Sequence, residues 1–352
     1  MRERRATITD VARQAQVSRA TASRVLGGYG YASDAVREKV HRAASQLGYT
    51  PSQTARAMRT GRSKLIGFVC TDITDGLFAG ALGGICAVAE SYGYQVLVFN
   101  SMDRLDLEIA GVDALVSQGA EGIIVSPVLV SQSGHLLKLA DALPLVCLDR
   151  QVEKLPSVVS DDVYAASLAA EKIALKGHAR IGFVTSVQVE EPISLTTGGD
   201  GLQVQGERRP SVQRARGFVS GLAKAGLAPT EEDFCLVDHR RGDGLDRVTQ
   251  WFSRNEDVTA VVAGDSYQAR IVYEALRNLG VRIPDDISLI VFSDADWPEM
   301  VSPALDRISL RARGMGSEAA RSLLALLSSG STSDLVTLDV DYHEGNSLRN
   351  LT

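Results

Sequence analysis

Between Val17 and Gly28 the chain reads VSRATASRVLGG, and its polar side chains fall at a spacing that fits one chemistry. On a helix begun at Ser18, the residues Ala22, Val25 and Leu26 share one side, and Arg19, Ala20, Ser23 and Arg24 share the other. Two arginines among small hydroxyl residues carry the donors needed to hold phosphate oxygens and to pair bidentately with guanine O6 and N7 in a major groove. The charge distribution agrees. Residues 1–64 hold 13 Lys+Arg against 4 Asp+Glu, a net of +9, in a chain of overall charge −6, so the rest carries −15. A basic head on an acidic body is expected where the head alone meets a polyanion. The plainer readings are a solvated basic arm and a helical hairpin for protein contacts, and the charge asymmetry argues against the second.

The elements that must position these residues are legible around them. Thr7 and Asp10 stand in capping-box spacing, and Ile8, Val11, Ala12 and Ala15 follow as one small apolar face. After a break at Gln16–Val17, Ser18 is a natural N-cap for the second helix, and Gly27–Gly28 end it. A third helix starts at Ser33, carries Val36, Val40, Ala43, Ala44 and Leu47 as its stripe, and stops at Gly48. Three short helices of this kind predict an all-α helix-turn-helix head over residues 1–50, its second helix offering the polar side to the major groove. The segment 51–62, PSQTARAMRTGR, has helix-forming residues and positive charge but is too short to be a stable helix alone. It is either a plain linker or a hinge helix that orders on DNA, with Met58 as an apolar wedge between base steps of the minor groove.

The body, residues 63–352, alternates apolar strand-like runs with helical patterns. LIGFVC, YQVLVF, GIIVS and LVCLD form a first series, and RIGFVT, FCLVD, TAVVAG and ISLIVF a second. Such runs predict parallel sheets covered by helices on both faces, here an α/β core of two Rossmann-like lobes. The first lobe is expected over about 63–160 and 304–327, the second over about 161–293 and 334–352, with LVTLDV crossing back to the second. Ligands of open α/β sheets bind beyond the carboxyl ends of the strands. That rule places Thr71, Asp72, Ser126, Asp149, Thr185, Asp265 and Ser293 at a cleft between the lobes, with Phe78 able to stack on a ring. The plainer role of a strand-end aspartate such as Asp265 is to cap the next helix. The Gly-rich stretch 187–210 is either a flap near the cleft or a β-hairpin around TTGGDG.

The run TITDVARQAQVSRATASRVL, followed by VREKVHRAASQLGYTPSQTARAMRTGRSKLIGFV, resembles the LacI/GalR family of bacterial transcription regulators, as do GHARIGFV, RARGF and RIPDDISLI in the body. The resemblance implies a periplasmic-binding-protein-like core and a homodimer that binds a pseudo-palindromic operator in double-stranded DNA. Carried over residue by residue, it assigns base reading to Arg19, Ala20 and Arg24, phosphate contacts to Ser18, Thr21 and Ser23, and the intercalating position to Met58. The DNA-facing set extends to Thr9, Tyr31, Ser33, Tyr49, Ser52 and Arg56. Arg214 matches the arginine with which relatives contact a small-molecule effector, and the same match favours Asp149 as a ligand contact. The implied effector set is thus Thr71, Phe78, Ser126, Asp149, Arg214, Asp265 and Ser293. Departures surround it: Gly264–Asp265 stands where sugar-binding members carry Asn-Asp, Phe292–Ser293–Asp294 replaces an aromatic-Asp-Asp motif, and Gly244 replaces an aromatic. The pocket therefore holds a sugar through other groups, holds another small molecule, or holds none; Trp297 is one candidate for the missing ring.

Other function classes find little support. The four cysteines, Cys70, Cys86, Cys147 and Cys235, have neither zinc-site nor disulfide-framework spacing, and a reducing cytoplasm fits them. No apolar run approaches the roughly 18 residues of a membrane span, and the charged start lacks the apolar core of a secretory signal. The sequence holds no H-E-x-x-H, G-x-S-x-G or Walker motif, so no catalytic residues, metal or cofactor are expected. A solute-binding receptor would share the lobes but lack the basic head. A regulator whose core answers to no ligand is the remaining alternative. The C-terminal HEGNSLRNLT has no heptad pattern for a tetramerising coiled coil.

Overall fold

The capping box forms as the spacing requires: the Thr7 amide donates to Asp10 Oδ2 at 2.9 Å, and the Asp10 amide to Thr7 Oγ1 at 3.4 Å. It starts α1 (Ile8–Gln14); α2 (Arg19–Leu26) and α3 (Asp34–Gln46) follow. The computed structural model describes residues 6–49, 62–199 and 201–352, in two compact units, Met1–Lys64 and Leu65–Thr352. The head's core is made of small and β-branched side chains, Val11, Ala12, Ala15, Ala22, Val25, Val40, Ala43 and Ala44. Alanine at the crossings lets the short helices approach closely enough to exclude water with little apolar mass.

The larger unit holds two six-stranded sheets and a two-stranded hairpin. The first lobe is built from β1 (Leu65–Cys70), α4 (Gly76–Ser91), β2 (Gln95–Asn100), α5 (Leu105–Ser117), β3 (Gly122–Val125), α6 (Gly134–Ala140), β4 (Leu145–Leu148) and β5 (Ser157–Ser160). The second takes α7 (Asp162–Leu175), β6 (Ile181–Ser186), β7 (Ser194–Gly198), β8 (Gly201–Gln205), α8 (Pro210–Lys224), β9 (Phe234–Val237), α9 (Gly244–Arg254), β10 (Ala260–Ala263), α10 (Ser266–Asn278), β11 (Ser288–Phe292), α11 (Trp297–Met300) and β12 (Asp306–Ser309). The chain ends through α12 (Ala312–Ser329), β13 (Leu335–Leu338) and β14 (Asp341–His343). The sheets run β13-β5-β4-β3-β1-β2 and β14-β12-β11-β10-β6-β9, parallel except for the β12–β14 pair. β3, β4, β10 and β11 are buried throughout, as strands covered on both faces must be.

Two lobe crossings differ from the expected ones. The return to the first lobe comes after Ser309 rather than near Ala304, because residues 306–309 pair with β11 in the second sheet. LVTL does not cross back: β13 pairs with β5, Leu335 opposite Ser157, and only β14 joins the second sheet. Both segments defeat an apolar-run criterion. Asp-Arg-Ile-Ser has a single apolar residue, and an edge strand alternating exposed and half-buried residues, as β13 does, can complete either sheet.

Each lobe is tightened by a helix pair that touches through glycine. A Cβ at Gly316 of α12 would strike the Ala81 carbonyl oxygen of α4, and one at Gly217 of α8 the Val163 carbonyl of α7. The stretch 187–210 resolves into the hairpin, β7 antiparallel to β8, with Leu195, Leu202 and Val204 packed on the main core. It returns the chain to the cleft at Arg209, immediately before α8.

Candidate functional site

On α2 the apolar side is spent on the head's core, and Arg19, Ala20 and Arg24 are exposed. Ser18 caps the helix, accepting from the Thr21 amide at 3.0 Å, and its hydroxyl lies 2.9 Å from Thr21 Oγ1. Arg24 Nη2 donates to Thr21 Oγ1 at 3.3 Å, and Ser23 Oγ meets the Tyr29 hydroxyl at 3.1 Å. The polar groups of this face thus order one another. Ser33 occupies the N-cap of α3 without a side-chain capping bond, Tyr31 is 88% exposed, Thr9 is exposed and Tyr49 half-buried. Ser52, Arg56 and Met58 lie outside the described residues.

In the larger unit, strand ends from both sheets enclose a cavity of about 130 Å³. Of the residues expected there, Thr71, Asp72, Phe78, Asp149, Arg214 and Asp265 line it. Ser126 and Thr185 do not: both are buried, Ser126 with a hydroxyl that finds no partner. Ser293 lines a smaller adjoining cavity together with Arg214 and Asp265. Trp297 is not the missing ring, since it packs on Tyr273 at 5.9 Å between ring centroids, within the second lobe's core. Sequence reading missed Asp75, Asp103, Arg150, Gln188, Arg209 and Tyr267, all on the cavity wall. Asp75 was detectable as the N-cap of α4, and Arg150 as the neighbour of Asp149. Arg209 and Tyr267 gave no local signal.

Arg214 is anchored from two directions. Its Nε donates to Asp162 Oδ1 at 2.7 Å and its Nη1 to the Gly264 carbonyl at 2.6 Å, while the guanidinium lies 5.0 Å from the Phe292 ring centroid. Asp265 caps α10, accepting from the Gln268 amide at 2.8 Å, and accepts also from Ser186 Oγ at 2.8 Å. The capping role and the cavity position coexist. Asp149 sits at φ +69, a left-handed conformation that a non-glycine residue adopts at a cost. No protein hydrogen bond reaches its carboxylate among the described residues, and the nearest cation, Arg150 Nε, is 3.9 Å away. Contacts across the cleft close the wall: Glu191 Oε1 accepts from the Ser131 amide at 2.9 Å, and Gln188 Nε2 donates to Asp103.

Residues 7–52 match the family described as "Bacterial regulatory proteins, lacI family", and residues 170–347 the "Periplasmic binding protein-like domain". The chain is 31% identical to the ribose operon repressor of Bacillus subtilis over 92% of each sequence. It belongs to the LacI family. It is therefore a DNA-binding transcription regulator with a ligand-binding type of core. Catabolite control protein A of Priestia megaterium is 28% identical, covering 90% of this chain and 91% of that one. The solved Lac repressor dimer bound to operator and the anti-inducer ONPF superposes with a TM-score of 0.80 over 98% of this chain and 100% of the other, at 22% identity.

Within this LacI-family core the loss of the aromatic at Gly244 is compensated in space. A Cβ at 244 would come within 2.5 Å of the Tyr267 hydroxyl, so Tyr267 occupies the room a larger side chain would need and brings its own ring to the cavity. Among the described residues no His, Cys, Asp and Glu cluster is arranged to hold a metal, and no helix is long and apolar enough to cross a membrane.

The cleft carboxylates make stability depend on pH. Burial pushes Asp149 up to about 6, against the pull of Arg150, and burial together with Asp265 pushes Asp75 up to about 6. Both folded values exceed the unfolded value of about 4, so the native state holds these protons more tightly. Their favourable contribution is complete below that unfolded value and is lost as pH rises through 6. Asp149→Asn is thus expected to raise the ligand-free melting temperature at pH 7 and to flatten the melting curve's dependence on pH between about 4 and 6. Thermal melts across that range check it, and a destabilised variant at pH 7 would show that the carboxylate is satisfied.

Proposed function

We propose that this regulator is a cytoplasmic homodimeric repressor whose operator affinity is set by a small molecule held between the core lobes. The observation that carries the reading is the buried, unbonded Asp149 carboxylate facing the same cavity as the doubly anchored Arg214. A buried carboxylate with no hydrogen bond and only a 3.9 Å ion pair is costly, and sites that tolerate one are commonly sites whose better partner arrives with a ligand. Thr71, Phe78 and Asp265 complete the wall, and Ser293 acts from the adjoining cavity. On the head, Arg19 and Arg24 read bases, Ala20 contacts at most a thymine methyl, and Ser18, Thr21 and Ser23 hold phosphates, with Thr9, Tyr31, Ser33, Tyr49, Ser52 and Arg56 around them. The free edge of the first sheet favours self-association: Val98 on β2, with Ile109 and Val116 on α5, leaves apolar side chains exposed.

Effector binding shifts the population between open and closed clefts, and the hinge segments of the dimer follow. Selection of genomic fragments on the purified protein, read by sequencing, tests the DNA half. A pseudo-palindrome with a kinkable central step is expected, and enrichment without a shared motif would defeat it. Met58→Gly is expected to weaken operator binding more than binding to random DNA, because a wedge is useful only where the central step can open. Equal losses on both, measured by fluorescence anisotropy, would make 51–62 a linker only.

A further inference from the structure

The cavity's most unusual group is Arg209, which the 187–210 stretch delivers to the cleft. It is 4% exposed, yet no carboxylate of the described residues forms an ion pair with it. Its acceptors are neutral, Gln188 Oε1 at 2.7 Å and the Glu191 carbonyl at 3.3 Å, and Nη1 takes both. Nε and Nη2 are left without protein acceptors on a residue that lines the cavity. Beside it, Ser211 also lines the cavity, 8% exposed, with a buried hydroxyl that has no partner. Both residues open the 15-residue helix α8, whose first turn has no side-chain cap and whose dipole favours a negative charge. The Arg150 guanidinium, whose buried Nε makes no hydrogen bond and lies 3.9 Å from Asp149, adds a second positive charge close by. Burial and Arg150 push the Arg209 guanidinium down to about 10, against the pull of Asp103 and Glu191.

Carboxylates line the same cavity, but they are engaged differently. Asp103 is occupied by Gln188 and lies 3.6 Å from Arg150 and 3.5 Å from His239. Asp265 and Asp149 act on Asp75 and on Arg214, and all three carboxylates are acceptors suited to hydroxyl groups. The cavity thus offers carboxylate acceptors together with Arg209, whose Nε and Nη2 have no acceptor among the described residues, whereas Arg150 is already paired with Asp103 at 3.6 Å and with Asp149 at 3.9 Å. We infer that the cleft takes an anionic sugar, its hydroxyls on the Asp149–Asp265 side and its acidic group on Arg209, Ser211 and the start of α8. This rests on the effector reading above and names the ligand's chemistry. Because Gln188 links Arg209 to Asp103 across the lobes, the acidic group binds at the closure seam.

The test is calorimetry on the full chain with D-gluconate, D-galacturonate, D-glucose 6-phosphate, D-glucose, D-galactose and inorganic phosphate, alongside operator binding with each. An acidic sugar is expected to bind at least about tenfold tighter than the neutral sugar, consistent with one charge-assisted contact. Carboxylate and phosphate arms show which acidic group fits. Arg209→Gln is expected to remove that preference, so that acidic and neutral sugars bind equally, and Ser211→Ala to reduce it in part. Equal binding of acidic and neutral sugars by the unaltered chain would overturn the anionic subsite and leave the effector reading standing. Binding of inorganic phosphate with no sugar preference would also overturn it. Failure of every sugar to bind or to move operator affinity would overturn the anionic-sugar inference and leave the effector reading standing, since that reading admits another small molecule. Should Arg209→Gln unfold, persistence of the full preference in Ser211→Ala and loss of its salt dependence would count against the proposal.

Discussion

Arg214→Ala is expected to destabilise the core by about 3–5 kcal/mol, because it strands a buried carboxylate. Asp162 and Arg214 are both buried, and their 2.7 Å bond is the carboxylate's ion pair within the second lobe. Burial already raises Asp162 above the usual carboxylate range despite that partner. Without the guanidinium it must either take up a proton or draw water into the lobe. The loss should be greatest at neutral pH and shrink on acidification, since a protonated Asp162 needs no cation. Arg214→Lys should not rescue it, because an ammonium cannot reach Asp162 and the Gly264 carbonyl in the same planar arrangement. Urea unfolding of Arg214→Ala, Asp162→Asn and the double variant measures the coupling. A double variant more stable than Arg214→Ala alone is the expected signature, and a loss below about 1 kcal/mol in the single variant would mean the pair is solvated. The same residue can still touch a ligand, since Nε and Nη1 serve the fold and the residue also lines the cavity. Ligand affinity must therefore be compared only at pH values where the variant is folded.

What the sequence discloses here is local, and what it conceals is assembled in space. The α2 face follows from residues within one helix, so the periodicity of eight residues places Arg19 and Arg24 outward and Val25 inward. Asp149, Asp265 and Thr71 follow from the rule that ligands sit beyond parallel strand ends, which needs only the strand runs. Tyr267 was hidden because its significance depends on Gly244, twenty-odd residues earlier on another helix, and only packing shows that one makes room for the other. Arg209 was hidden because it closes a hairpin whose path no periodicity specifies. Ser126 and Ser293 satisfied the strand-end rule yet missed the main cavity, because that rule locates an edge of the sheet and not the side on which a ligand rests. The β13 segment failed for a related reason: edge strands lack the continuous apolar signature by which buried strands are assigned.

Operator affinity is expected to fall by about 10³–10⁵ between 50 and 200 mM salt if the bound dimer makes six to ten phosphate contacts, the largest effect anticipated for this protein. The head's net charge of +9 sets the sign, and Arg19 and Arg24 are exposed on α2. The salt slope alone does not distinguish reading from gripping, and Arg24→Ala separates them. Arg24 is held by Thr21, itself tied to the Ser18 cap, so its guanidinium is partly ordered before any base arrives. Truncation is expected to remove about 1–3 kcal/mol from operator binding, a loss confined to one base position per half-site. Variants of the operator at that position should bind the altered protein as well as the parent operator does, while the unaltered protein still discriminates. Anisotropy titrations at two salt concentrations with a set of half-site variants make the comparison. A loss equal on every variant, with the salt slope reduced by about one, would assign Arg24 to the phosphates and leave direct reading to Arg19, because Ala20 has no side-chain donor to offer a base.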